Sequence, residues 1–191
     1  MVTTDLIFSA GRPGDRRVRI STLQREFLAF TIWVGITFVQ FPGDEFLLYP
    51  LAAYFAVRTW QQRAEVADLV SQSWPILLFP LWCLISPIWA IEPITAFKQA
   101  LYLILTMMIC YHVVLNLSAR QIMYAILLAT GGIGVLNLIM GLPDGNFTSS
   151  LFTHKNRMGV SMVMLWIVSI ATLIDSSAPR QIRVAAVFTA A

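Results

Sequence analysis

The sequence predicts an all-α protein built as a polytopic bundle of transmembrane helices. Of its 191 residues, 58% are hydrophobic and only 12% are charged, and the mean hydropathy is +0.72. A soluble domain has about 45–50% apolar and about 25% charged residues. A soluble core could not bury this excess of apolar side chains, whereas lipid accommodates it. The apolar residues also fall in long runs separated by short polar connections, which is the pattern of repeated membrane crossings.

A spanning helix needs roughly 20 apolar residues, because the hydrocarbon core of a bilayer is about 30 Å thick. The sequence therefore predicts six spans, followed by a truncated seventh that begins near Ile182 and runs to Ala191. The first two are short, and snorkelling of flanking arginines or a shallow hairpin would accommodate them. The six predicted spans cover residues 27–41, 46–60, 74–91, 97–117, 122–141 and 158–174.

The basic residues predict the orientation of the chain. Cytoplasmic segments carry an excess of lysine and arginine. If the N-terminus is cytoplasmic, only Lys98, Lys155 and Arg157 of the 13 basic residues lie outside. We therefore expect a basic cytoplasmic segment at residues 1–26 and a transmembrane domain at residues 27–191, in the inner membrane of a bacterium. Because the chain ends within an apolar run, we expect it to be the N-terminal part of a longer protein.

His112 lies inside the fourth predicted span, toward its cytoplasmic end. Ionisable residues within the membrane are functional candidates by default. A neutral histidine packed against another helix is the favoured interpretation, because no carboxylate is expected at the same depth. We also expect no acidic residue near any midplane, which argues against ion coupling.

A cationic cluster stands directly before the sixth span, at His154, Lys155, Asn156 and Arg157. Cations at a helix N-terminus oppose the helix dipole. Here they also lie on the outside, against the excess of basic residues expected in cytoplasmic segments. An anion bound among them would explain both, and a phosphate or pyrophosphate suits the lysine point charge and the arginine fork. The alternative is that Lys155 and Arg157 mark the interface and bind lipid phosphates.

Two of the loops resemble a known family. The segment Phe152-x-His154-Lys155-Asn156-x-x-Gly159 resembles the His-Lys-Asn signature of the bacterial O-antigen ligase and exopolysaccharide polymerase family. The segment Ser86-x-x-Trp89-x-x-x-Pro93 resembles the family's tryptophan segment after an early helix. The order and spacing of the two motifs agree with the family across most of the chain.

The resemblance implies a polytopic glycosyltransferase that moves a glycan from a polyprenyl-pyrophosphate carrier to an acceptor hydroxyl at the periplasmic face. It assigns catalysis to His154, as a base or as an orienting residue, and substrate binding to Lys155 and Asn156; Arg157 is added by proximity. Trp89, Phe152 and Gly159 are motif residues. We expect no metal or other cofactor, since cations can stabilise the developing charge. The expected partners are the lipid-linked glycan, a glycan or lipid acceptor and membrane lipids, without nucleic acid. This chain alone is expected to be inactive.

Two other classes remain open. A transporter or flippase for lipid-linked or anionic substrates would use the same cations for binding without bond cleavage, and broken helices or charges near the midplane would favour it. A non-catalytic membrane subunit would tolerate substitution of the loop cluster.

Overall fold

The computed structural model describes residues 13–39, 43, 45–141 and 155–190, with side chains described for all of these except 13–21, 45, 141, 155–157 and 190. This part of the chain contains helices and short connections, and no strand. The helices are α1 (Pro13–Phe38), α2 (Glu45–Gln61), α3 (Arg63–Gln72), α4 (Trp74–Ile85), α5 (Pro93–Asn116), α6 (Ala119–Gly141), α7 (Lys155–Ile174) and α8 (Arg180–Ala190), with a turn of 3-10 helix at Ser86–Ile88 after α4.

Local signals explain where several helices begin. Proline occupies the first helical position of α5, where its missing N–H is not needed for the helix. Ser118 and Gln121 form a capping box before α6: the Gln121 N–H donates to Ser118 Oγ, and the Ser118 N–H donates to Gln121 Oε1 at 2.9 Å. Gly43 has φ of 91°, so the connection between α1 and α2 uses a conformation that favours glycine.

The main hydrophobic core joins α1, α2, α5 and α6. Its buried residues are contributed by all four helices, and partly buried side chains from the same helices pack around them. A second cluster joins α6, α7 and α8 through Leu127, Leu165, Val168 and Ala186. α6 therefore contacts α1 on one side and α7 on the other, whereas α5 packs against α2, α3 and α4.

The predicted number of spans, six and a truncated seventh, is wrong. Within the part of the chain that the structure describes, two helices are long and apolar enough to cross a membrane, α5 over Pro93–Asn116 and α6 over Ala119–Met140. A third span is present only if the pair Arg63–Gln72 and Trp74–Ile88, which bends by 95°, is one broken crossing. The two candidate spans mark the chain as a membrane protein.

Length and charge explain the difference. α2 has 17 residues, which at 1.5 Å per residue is about 26 Å and shorter than the hydrocarbon core. α1 has 26 residues, but its first half carries several charges, so the apolar part is short. The apolar part of α7, Met158–Ile174, has 17 residues, and α8 has 11. Apolar runs of this length build helices without being long enough to span.

Apart from α3, which meets α4 at 95°, consecutive helices alternate in direction, so their ends form two groups. We call the end that holds Glu26, Arg58, Asn116 and Asp175 the network end, and the opposite end, where α5 and α7 begin, the loop end. An Arg58–Glu26 contact joins α1 and α2 at the network end, and an Arg120–Asp175 contact joins the start of α6 to the end of α7 there.

Candidate functional site

The predicted catalytic loop meets the described part of the chain at the start of α7. The helix begins at Lys155, so Lys155, Asn156 and Arg157 form its first turn, where backbone N–H groups lack partners within the helix. Phe152 and His154 lie outside the described residues, as do the side chains of the first turn. Gly159 follows in the next turn, and a Cβ built there meets nothing within 4 Å.

Trp89 follows the 3-10 turn at Ser86–Ile88, and its backbone N–H donates to the Ser86 carbonyl at 3.2 Å. Its ring lies against Trp82, with 5.5 Å between ring centroids. The Ser86 hydroxyl donates back to the Cys83 carbonyl at 2.7 Å. Trp89 is exposed on this turn, just before α5 begins at Pro93.

The two motif segments share the loop end but belong to different parts of the bundle. Trp89 precedes α5, which packs against α2, α3 and α4, whereas the first turn of α7 belongs to the group formed with α6 and α8. The described residues of the two motifs therefore lie at the same end of the helices but beside different helices.

A cleft of about 410 Å³ opens between α6, α7 and α8, and Met158, next to the first turn of α7, lines it. Gly131 and Gly134 of α6 form part of its floor. A Cβ at Gly131 would lie 3.4 Å from Thr189 Cγ2, and one at Gly134 would lie 3.6 Å from Met162 Cε. Small residues of this kind let membrane helices approach closely. Gly131 and Gly134 are thus packing positions of α6.

A buried ionic network at the network end joins three helices. Glu26 of α1 is 3% exposed and accepts from two directions. The Arg58 Nε–H of α2 donates to Glu26 Oε1 at 2.7 Å, and the His112 Nε2–H of α5 donates to Glu26 Oε2 at 2.8 Å. Arg58 also donates to Gln61 Oε1 at 2.9 Å, which carries the network out to an exposed residue. With a neutral imidazole, the three groups sum to zero charge.

The imidazole of His112 is completely buried, and its surroundings fix its tautomer. A carboxylate oxygen can only accept, so Nε2 carries the proton. Asn116 Nδ2, an amide donor, lies 3.3 Å from Nδ1 and so faces the nitrogen that has no proton. The ring of Phe55 covers the imidazole edge-to-face, with centroids 5.7 Å apart.

A reciprocal amide pair extends the network. The Gln62 Nε2–H donates to Asn116 Oδ1 at 2.9 Å, and the Asn116 Nδ2–H donates to Gln62 Oε1 at 2.8 Å. Gln62 lies between α2 and α3, so the pair ties that junction to the end of α5. Polar residues of four neighbouring segments are therefore held at one level of the bundle.

The expectation that no carboxylate shares the depth of His112 is wrong, because Glu26 bonds directly to its ring. Sequence reasoning missed Glu26 because it assigned residue 26 to the polar N-terminal segment, just before the first apolar run. α1 is continuous from Pro13 to Phe38, and it carries Glu26 against α2 and α5. A usable signal was present in the lone acid beside that apolar run.

A second polar cluster lies at the network end between α6 and α8. The Arg120 Nε–H donates to Asp175 Oδ2 at 2.9 Å, and the Ser177 N–H donates to Asp175 Oδ1 at 3.0 Å. The Ser177 hydroxyl also donates to this carboxylate. These Ser177 bonds, followed by the charge of Arg120, lower the pKa of Asp175 below its usual value. Arg183 closes the turn by donating to the Asp175 and Ser176 carbonyls.

Comparison with protein-family models, with curated proteins and with solved structures gives no significant match to this chain. The likeness to the ligase and polymerase family therefore rests on the two short motifs themselves.

Proposed function

We propose that the chain is the N-terminal part of a membrane glycosyltransferase of the O-antigen ligase or exopolysaccharide polymerase type. It would transfer a glycan from a polyprenyl-pyrophosphate carrier to an acceptor hydroxyl. The observation that supports this most directly is the start of α7 at Lys155. The motif residues Lys155 and Asn156 then belong to a first helical turn, whose free N–H groups favour an anion.

The proposed chemistry needs an anionic leaving group and an activated hydroxyl. Lys155, Arg157 and the first-turn N–H groups of α7 would stabilise the charge that develops on the pyrophosphate as the glycosidic bond breaks. His154, one residue before the helix, would accept the proton of the acceptor hydroxyl or orient the loop, since histidine titrates near neutral pH. These roles need no metal ion. The cleft beside Met158 adjoins this turn.

We further propose that the loop end faces the periplasm and that the N-terminus lies in the cytoplasm of a bacterial inner membrane. The basic side chains support this orientation, because Arg58, Arg63, Arg120 and Arg183 lie at or next to the network end. Labelling of single cysteines at Ser177 and Ser86, after replacement of Cys83 and Cys110, tests it. An impermeant reagent added to intact cells should label only the cysteine at position 86; labelling of position 177 instead would reverse the orientation.

The enzymatic proposal is tested by His154→Ala and Lys155→Ala in the protein as its host expresses it. Both variants should insert into the membrane at normal levels and lose glycan transfer, measured as loss of the glycan-acceptor product. Lys98→Ala is the matched control, because Lys98 is an exposed cation near the start of α5 at the same end. Full transfer activity in both variants would contradict the proposal.

A transporter or flippase for lipid-linked anionic substrates is a second candidate, which two observations favour. The α3–α4 pair bends by 95°, and Glu26 is a buried acid bonded to an arginine and a histidine. However, the network lies near one end of the helices, since His112 is only four residues from the end of α5. Purified protein in vesicles separates the candidates: movement of an intact lipid-linked glycan between leaflets would support transport, whereas a new glycosidic bond would support transfer. A non-catalytic subunit would do neither.

A further inference from the structure

Helix α3 has the residue distribution of a helix that lies along a membrane surface. Val66 and Val70 are partly buried on one side, and Arg63 shares that side at i, i+3 and i+7 spacing. The exposed residues Glu65, Asp68 and Gln72 repeat the same spacing on the opposite side. A helix with this polar face is costly in the hydrocarbon region but stable at the interface.

The sharp bend after α3 marks the passage from the interface into the hydrocarbon. α4 is apolar on nearly all sides, and it leaves α3 at 95°. At the bend, Ser73 caps the turn and its hydroxyl lies 2.9 Å from the Tyr111 hydroxyl of α5. This polar contact joins the elbow of α3 and α4 to α5.

An apolar cavity lies on each side of this contact. One, of about 280 Å³, is bounded by Val66, Val70, Pro80 and Ile104 among others. The second, of about 340 Å³, is bounded by Leu69, Ile76 and Val114 among others. Met107 and Tyr111 line both cavities, so a single wall of α5 separates them.

The side chains that line the two cavities favour a hydrocarbon occupant over water. The polar atoms at the bend, the hydroxyls of Ser73 and Tyr111, bond to each other, and no charged side chain among the described residues lines either cavity. A water molecule needs two to four polar partners and would find few here. Two neighbouring apolar cavities with a shared wall match the two chains of one diacyl lipid.

A cation stands where the head group of such a lipid would lie. Arg63 begins α3, one turn before Val66, and its guanidinium carbon lies 5.2 Å from the centroid of the exposed Trp60 ring. Arginine and tryptophan at the end of an apolar surface form the usual contact with lipid phosphates and the interfacial layer. The acidic residues of α3 face away, so the charge near the cavity is positive.

We infer that the elbow of α3 and α4 binds one anionic phospholipid, with its phosphate at Arg63 and its chains in the two cavities beside Tyr111. The site is independent of the glycosyltransferase proposal, because it lies at the opposite end of the helices from the start of α7. It anchors α3 on the membrane surface and fills space that α3, α4 and α5 leave open.

Native mass spectrometry of the full chain in detergent tests this site. The protein is incubated with phosphatidylglycerol or phosphatidylcholine of the same chains, and the bound fraction is compared. The wild type should retain one phosphatidylglycerol molecule in preference to phosphatidylcholine. Arg63→Gln should reduce that preference about five-fold, the factor for roughly 1 kcal/mol per cation at an anionic membrane surface.

Matched variants separate the site from general effects. Arg180→Gln is the charge control, because Arg180 is also an exposed arginine at the first position of a helix. Val70→Phe should fill the first cavity and reduce retention of both lipids, with Val57→Phe on the exposed side of α2 as its control. Ile104→Phe fills the same cavity from α5 if Val70→Phe lowers expression. Equal retention of the two lipids by the wild type would overturn the inference, as would variants indistinguishable from their controls.

Discussion

Replacing Arg58 by leucine should destabilise the protein far more than replacing Arg58 and Glu26 together. In Arg58→Leu the carboxylate of Glu26, which is 3% exposed, keeps the hydrogen bond from His112 but loses its countercharge. Removing one member of a buried ion pair costs about 3–5 kcal/mol. The Arg58 side chain is 27% exposed, so the pair is partly screened, and we expect about 2–3 kcal/mol.

The double variant Glu26→Leu/Arg58→Leu removes both charges and leaves apolar side chains of similar size. Such replacements of a buried pair are often neutral or stabilising. One cost remains, because the His112 Nε2–H loses its acceptor, which is worth about 1 kcal/mol. The double variant should therefore lie within about 1 kcal/mol of the wild type.

Unfolding by sodium dodecyl sulfate in mixed micelles, followed by far-UV circular dichroism, measures the four corners of this cycle. Arg180→Leu is the control for losing an exposed arginine and should change the free energy of unfolding by no more than about 0.5 kcal/mol. If the free energy of unfolding lost in the double variant equals the sum of the losses in Glu26→Leu and Arg58→Leu, the two residues do not stabilise each other. The network would then have no energetic coupling.

Two further predictions concern the α6–α7–α8 group. Hydrogen bonds from Ser177 and the charge of Arg120 lower the pKa of Asp175, so the folded state favours the ionised carboxylate. The resulting stabilisation is fully present above the pKa of the unfolded state. It is lost as the pH falls through the lower pKa of the folded state. When the free energy of unfolding is measured from about pH 6 to below pH 4, its decrease with falling pH should be smaller in Asp175→Asn than in the wild type. Equal pH profiles for the two proteins would refute this. Gly131→Leu should cost about 1–3 kcal/mol by overpacking, because a Cβ there already contacts Thr189 and Leu165. Gly132→Leu is the control, since its Cβ meets nothing within 4 Å; equal unfolding midpoints for the two leucine variants would show that the cleft floor is not tightly packed.

The positions of most helices could be predicted from the apolar runs, but their capacity to span could not. The runs at 97–117 and 122–141 correspond to α5 and α6, which satisfy both length and composition. The runs at 27–41 and 46–60 become parts of α1 and α2. The charged first half of α1 and the limited length of α2 keep these helices from meeting the length and composition needed to span. Hydropathy reports the preference of a segment for lipid, whereas crossing also requires about 30 Å of apolar helix.

Helix α3 was missed for a related reason. Residues 61–73 are polar enough to suggest a loop when hydropathy is the only criterion. Their apolar residues recur at Val66, Leu69 and Val70, which is helical spacing with one side turned to α5. A search for helical periodicity at low mean hydropathy would have found an interfacial helix there.

The candidate site was only partly predictable, since the proposed catalytic loop is defined by its motif and the buried network by the arrangement of helices. Glu26 and His112 are 86 residues apart, and no local pattern pairs them. Depth, however, can be counted when helices alternate in direction. Glu26 stands one residue before the first apolar run, Arg58 two residues before the end of the second, and His112 five residues before the end of the fourth. At 1.5 Å per residue, all three lie within about 8 Å of the same end. An acid, an arginine and a histidine at one level of a helical bundle must neutralise one another to be buried. Counting the depth of each ionisable residue from the nearest end of its apolar run, for residues just outside the runs as well, would therefore have predicted the network.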